Sequence, residues 1–174
     1  MALQDLTDVI DRVWFWITKS DKEIVPNKIA AAYNQKGGWE GWAQVEIAYL
    51  IQTKYNNVTI DREVNVYSGT KKENDFVITD KGNPPKPKQI IELKCERGTQ
   101  SAAQFVQSFS DDITKIHNLP INPSYKPAKA YAVAIVCTVL TQQLMINTAW
   151  QVKVNRIQCG QTGILIFWNE LDIV

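Results

Sequence analysis

The chain has 174 residues, 45% of them hydrophobic and 21% charged, with 19 Lys plus Arg against 18 Asp plus Glu. That is the composition of one globular domain, residues 1–174, long enough to bury roughly 70% of the surface its unfolded form exposes. A net charge of +1 gives no sign of a polyanionic partner, although a basic face balanced by an acidic metal site would leave the same total.

Asp5, Asp8 and Asp11 stand where a secretory leader would be basic, and no apolar run approaches the roughly 18 residues of a membrane span. The expectation is a cytoplasmic protein with no membrane attachment. Cys95, Cys137 and Cys159 are odd in number and form no CxxC, which reads as reduced, mostly buried thiols and not as a zinc site. His117 is the only histidine, so any mechanism needing two or three in one chain is excluded. In KIHNLP it reads as a residue that caps a helix or lies at the surface.

Residues 2–18 carry a helical stripe of Leu3, Leu6, Val9, Ile10, Val13, Trp14 and Ile17. Phe15 and Trp16 widen it and are expected under a neighbouring helix. Pro26 opens a short helix through Tyr33, and Gly37-Gly38 breaks the chain. A longer helix over 39–54 puts Trp39, Trp42, Ala43, Tyr49 and Leu50 on one face, with Glu46 in the middle of it. A carboxylate there is costly unless something satisfies it. A buried Trp N–H or Tyr hydroxyl would do so, and so would a metal.

Alternation over VTIDREVNV predicts a strand with Val58, Ile60, Arg62, Val64 and Val66 on one side. Residues 73–80 form a second strand, with Phe76 and Ile78 opposed to Asp75 and Val77. The proline-rich loop 81–88 leads to a third, KQIIELKCE, so the three make a meander. Ile91, Leu93 and Cys95 face a core from this third strand, while Glu92 and Lys94 share the other side. Ser101 and Gln104 have the spacing of a capping box that opens a helix to about residue 116. AYAVAIVCT, 130–138, is a strand buried on both faces. A helix over 139–149 and a closing strand pair, 151–158 and 164–168, complete the chain.

The order of helix, three strands, helix and buried strand, with Asn74-Asp75 on one strand and Glu92-Leu93-Lys94 on the next, resembles the PD-(D/E)xK nuclease superfamily. Glu46 on the preceding helix and Gln104 on the following one add to the resemblance, which spans roughly residues 39–138. Asn74 stands where the family's motif has Pro. The resemblance implies a restriction-endonuclease-like α/β fold, a mixed central β-sheet flanked by helices. It also implies an enzyme that hydrolyses nucleic-acid phosphodiester bonds with Mg²⁺ or Mn²⁺, DNA in preference to RNA. Asp75, Glu92 and the backbone carbonyl of Leu93 would hold the metal, with Glu46 bound directly or through water. Lys94 would orient or activate the attacking water, and Gln104 would be a polar residue near the active site. Loop cations Lys71, Lys72, Lys81, Lys86, Lys88 and Arg97 would meet phosphates. The implied setting is a toxin or effector held by an immunity protein, or restriction or repair machinery, with a second copy of the chain as a further partner. The alternative from another class is a non-catalytic binding or interaction protein on the same fold, its Glu46, Asp75, Glu92 and Lys94 forming an ion-pair network.

Overall fold

The computed structural model of the protein describes residues 7–18, 24–84 and 86–174. Three helices come first: α1 (Thr7–Thr18), α2 (Ile24–Tyr33) and α3 (Glu40–Lys54). Strands β1 (Val58–Val64), β2 (Asn74–Asp80) and β3 (Lys88–Cys95) follow, then α4 (Ala102–Asn118), β4 (Ala128–Val136), α5 (Val139–Asn147), β5 (Asn155–Gln158) and β6 (Leu165–Ile173). The strands form one sheet in the order β1-β2-β3-β4-β6-β5. β1, β2 and β3 are an antiparallel meander. β4 runs parallel to β3, which requires a crossover, and α4 supplies it. β6 lies antiparallel between β4 and β5. The protein is thus an α/β structure with a mixed sheet flanked by helices.

Two apolar layers hold it together. On one face α1, α2 and α3 cover Phe76, Ile78, Ile91, Leu93, Tyr131 and Val133. On the other, α4 and α5 cover Val77, Ile90 and the alternating alanines Ala130, Ala132 and Ala134 of β4. β4 is accordingly buried on both faces, as its apolar run predicts. Small side chains on its α4 side let that helix pack close to the sheet. The Ser101–Gln104 capping box anchors the start of α4, with Gln104 Oε1 accepting the Ser101 N–H at 3.0 Å.

Some of these expectations are borne out and others corrected. Leu3, Leu6 and Val9 fall outside the residues whose side chains are described. Trp16 is buried against Trp39 and Trp42, with ring centroids 6.5 and 5.3 Å away. Phe15 is not covered: it is 38% exposed, with the Arg12 guanidinium over its ring. Of the face predicted for α3, Trp39 and Ala43 are buried and Trp42 and Leu50 pack against the core, but Tyr49 is 62% exposed, and the buried side is shifted to include Gln44, Ile47, Ala48 and Ile51. β1 does not keep one face throughout. Val58 and Ile60 pack with the α1–α3 layer, but Val64 and Val66 pack with the α4–α5 layer. The left-handed φ of +53° at Glu63 turns the strand between them. β6 continues to Ile173 because its second half still pairs with β4 down to Ala128.

Candidate active site

The site is built where β2 parts from β3. The two strands pair at Phe76–Ile91, Val77–Ile90 and Ile78–Gln89. One step further that register sets Asp75 opposite Glu92, on the α4 side with Val77 and Ile90. Like charges directly opposite destabilise a sheet, and the strands separate at this point. Glu96 N–H donates to Ile135 of β4, so by alternation the backbone groups of Leu93 and Cys95 face the gap left by β2. Carboxylates take the place of the missing strand. Asp75 Oδ2 accepts the Leu93 N–H at 2.6 Å, and Glu40 Oε2 accepts the Cys95 N–H at 3.0 Å. The Leu93 carbonyl opens into the same gap.

Each neighbouring element contributes. From α3, Gln44 Nε2 donates to Asp75 Oδ1 at 2.7 Å, and its own oxygen accepts from Arg62 of β1 at 2.8 Å. Gly37 and Gly38, with φ of +92° and +75°, turn the chain so that α3 starts beside the end of β3. The Trp39 indole N–H fastens it there by donating to the Glu96 carbonyl at 2.7 Å. From α4, Asp112 lies 3.4 Å from the Lys94 ammonium, and Lys115 lies 2.5 Å from Glu92 Oε1. Glu40 Oε1 is 3.8 Å from the same Lys94 nitrogen. The Tyr67 hydroxyl donates to Glu92 Oε1 at 3.3 Å.

Glu40, Asp75, Glu92 and Asp112 thus share a partly buried volume with two ammonium groups, Lys94 and Lys115. Burial pushes the Glu92 carboxyl up to about 8, against the pull of Lys115. Burial also raises Asp75, Asp112 and Glu40, partly offset by the Leu93 N–H at Asp75 and by Lys94 at the other two. Lys94 is drawn down by burial, but Asp112, Glu40 and Asp75 together more than reverse this and raise it. It is therefore an ammonium at neutral pH, suited to orienting a water or a phosphate oxygen and not to removing a proton.

These shifts set a pH dependence. The folded chain keeps protons on the raised carboxyls at pH values where the unfolded chain has released them. Their contribution to stability is complete below the ordinary carboxylate range and is lost as pH rises toward the Glu92 value of about 8. In chelator-treated protein the urea midpoint is expected to be lower at about pH 8.5 than at about pH 5.5, with the difference reduced in Glu92→Gln. A midpoint that climbs over this interval would contradict the electrostatic account.

Of the residues singled out from sequence, Asp75, Glu92, Leu93 and Lys94 come together. Glu46 does not join them: its Oε1 accepts the Trp42 indole N–H at 3.1 Å, one turn away on the same helix. The α3 glutamate that reaches Lys94 is Glu40. Gln104 serves the cap of α4 and lines an outer cavity of about 430 Å³ with Arg97, Gln100 and Gln107. A smaller cavity of about 140 Å³ lies beside it, lined by Glu40, Lys94, Arg97, Gln100 and Ser108. Within it the Gln100 amide donates to Ser108 Oγ at 3.2 Å. Reading single strands missed Glu40, Gln44, Tyr67, Asp112 and Lys115. The available signal was the stripe Ser108, Asp112, Lys115 on α4, which flanks the buried stripe Phe105, Phe109, Ile113, Ile116.

His117 is held by Asn169 of β6, with 2.9 Å between Nε2 and Oδ1. The three cysteines are free, and burial pushes the Cys137 and Cys159 thiols up to about 12. Neither residue type supplies an activated nucleophile here. No family model, curated protein or solved structure matches the chain.

Among the described residues no three His, Cys, Asp or Glu side chains are gathered as a ready metal cage. Two carboxylates and a backbone carbonyl are the donors on offer. They are all hard oxygens, and one or two carboxylates completed by water and substrate are what Mg²⁺ commonly takes from a protein. The donor set therefore fits a hard divalent cation.

Proposed function

We propose that the protein is a metal-dependent nuclease that hydrolyses nucleic-acid phosphodiester bonds, with DNA the preferred polymer and RNA the competing one. The observation that carries the reading is the opposition of Asp75 and Glu92 across parting strands, with Lys94 two residues further along β3. The order of α3, the β1–β3 meander, α4 and the parallel strand β4 supports a restriction-endonuclease-like core.

Asp75, Glu92 and the Leu93 carbonyl would hold Mg²⁺ or Mn²⁺, which when bound neutralises phosphate charge and lowers the pKa of a coordinated water. The chain's own residues prepare the site. The Leu93 N–H and the Gln44 amide hold the two Asp75 oxygens in fixed directions. Asp112 and Glu40 keep Lys94 protonated at the edge of the small cavity, where its ammonium can orient a water against a phosphate. Arg97, Gln100 and Ser108 line the way in and would meet phosphate oxygens. Exposed Lys71, Lys72 and Lys81 would add contacts that position a strand without reading its sequence.

A second reading has its own support: Asp75, Glu92, Lys94 and Glu40 all have protein partners, as in a non-catalytic protein stabilised by an ion-pair network. Calorimetric titration with Mn²⁺ separates the two. The nuclease reading expects heat of binding in the wild type and none in Asp75→Asn or Glu92→Gln. Equal heats in all three proteins would remove the metal site and leave the ion-pair network.

A further inference from the structure

We infer that Lys115 is a resident counter-ion of Glu92 which a divalent cation must displace, so that this lysine sets the metal affinity of the site. The inference rests on the metal-dependent reading above and deepens it.

Lys115 reaches the site from α4, and its ammonium lies 2.5 Å from Glu92 Oε1. The Tyr67 hydroxyl donates to that same oxygen. Glu92 is 5% exposed, so water does little to screen what sits against it. A divalent cation on Glu92 and an ammonium in contact with the same carboxyl would repel each other strongly in this volume, and one must give way. The other lysine stands differently. Lys94 is paired with Asp112 and Glu40, neither of which is among the donors proposed for the metal, and it can stay in place.

The surroundings of Lys115 make its departure feasible. Its ammonium also donates to the Glu73 carbonyl at 2.8 Å, one residue before β2, and lies 5.5 Å from the centre of the Tyr67 ring. Those two contacts involve neither Glu92 nor Asp75. Lys115 can release Glu92 and remain held at the rim by a carbonyl and an aromatic face. In the absence of metal it offsets the charge that Glu92 carries once its proton is lost, facing Asp75 across the gap. With metal present that task passes to the cation, and the lysine becomes a free positive charge beside the site.

The test is Mn²⁺ titration of wild type, Lys115→Met and Glu92→Gln at about pH 8, with circular dichroism to establish that each is folded. Removing the competing charge is expected to tighten Mn²⁺ binding to Lys115→Met about tenfold, the lower end of measured couplings between close charge pairs. Glu92→Gln is expected to lose binding. A second measurement needs no variant: acylation of Lys115 in the wild-type protein, followed by mass spectrometry, should increase when Mn²⁺ is added. Wild-type binding that depends on Glu92, with unchanged or weaker binding in Lys115→Met or unchanged Lys115 acylation, would overturn the inference and leave the metal site standing. Absence of any Glu92-dependent Mn²⁺ binding would overturn the metal site and the inference together.

Discussion

Replacing Glu92 by Gln is expected to leave the protein folded at about pH 8, within about 1 kcal/mol of wild type, while Mg²⁺-dependent cleavage falls by about a thousandfold or more. The two halves of this result have separate causes. Glu92 is buried, opposite Asp75, and burial has moved its carboxyl up to about 8. The fold therefore tolerates it best when it is uncharged, and Gln is its uncharged isostere. The amide oxygen can still accept from Tyr67, and Lys115 keeps the Glu73 carbonyl. What disappears is the negative charge, which the fold does not require and a metal does. A side chain whose charge costs stability but is needed for activity is the physical mark of a functional residue. Urea denaturation and a cleavage assay on the same preparation check the claim. Wild-type cleavage by a folded Glu92→Gln would contradict it.

Glu96→Ala should do the opposite, destabilising the protein by about 3 kcal/mol or more through donors left without an acceptor. Glu96 sits four residues further along from Glu92 and is 2% exposed. Its carboxylate accepts the N–H groups of Cys137 and Thr138 at 2.6 and 2.8 Å. It also accepts the hydroxyls of Thr138 and Thr141 at 2.5 and 2.6 Å. All four donors belong to the first turn of α5 or to the two residues before it, so this one side chain fastens the helix to the end of β3. Truncation leaves the buried Thr141 hydroxyl and the part-buried donors of Cys137 and Thr138 without an acceptor and frees the N-terminus of α5. Chemical denaturation measures the cost, and a loss under about 1 kcal/mol would show that water or rearrangement replaces the carboxylate. Loss of cleavage in Glu92→Gln and loss of stability in Glu96→Ala, one residue past the end of β3, would separate the two glutamates by role.

The elements that are long and strongly patterned were legible in the sequence. AYAVAIVC announces a strand buried on both faces, S-x-x-Q announces the start of α4, and the three strands before it form the expected meander. Alternation on two regular strands set the faces of Asp75 and Glu92, while their pairing was implied only by the resemblance. The face of α3 was read in part: Trp39 and Ala43 are buried and Trp42 and Leu50 pack against the core as expected, but Tyr49 is exposed and Gln44, Ile47 and Ile51 complete the buried side. Trp39 and Trp42 pack sideways against Trp16 of α1, whereas the sheet is met by Ala43, Gln44, Ile47 and Ile51. Of the two ways to satisfy Glu46, an indole N–H or a metal, the structure shows the indole, one turn away at Trp42. Glu40 in the first turn resembled the acidic residue any helix start favours. Asp112 and Lys115 lie on a polar stripe beside the buried face of α4, but that stripe does not say what it meets, since their role depends on α4 crossing β3 and β4, a long-range arrangement that periodicity along one segment does not encode.

We propose that this chain cuts nucleic acid with a divalent cation held by Asp75 and Glu92. The most direct test is incubation of the purified protein with plasmid DNA, single-stranded DNA and total RNA, each with Mg²⁺ and with excess EDTA. The account predicts cleavage in Mg²⁺, strongest on DNA, none in EDTA, and none by Glu92→Gln. Intact substrates in every Mg²⁺ reaction, or cleavage that persists in EDTA, would contradict it.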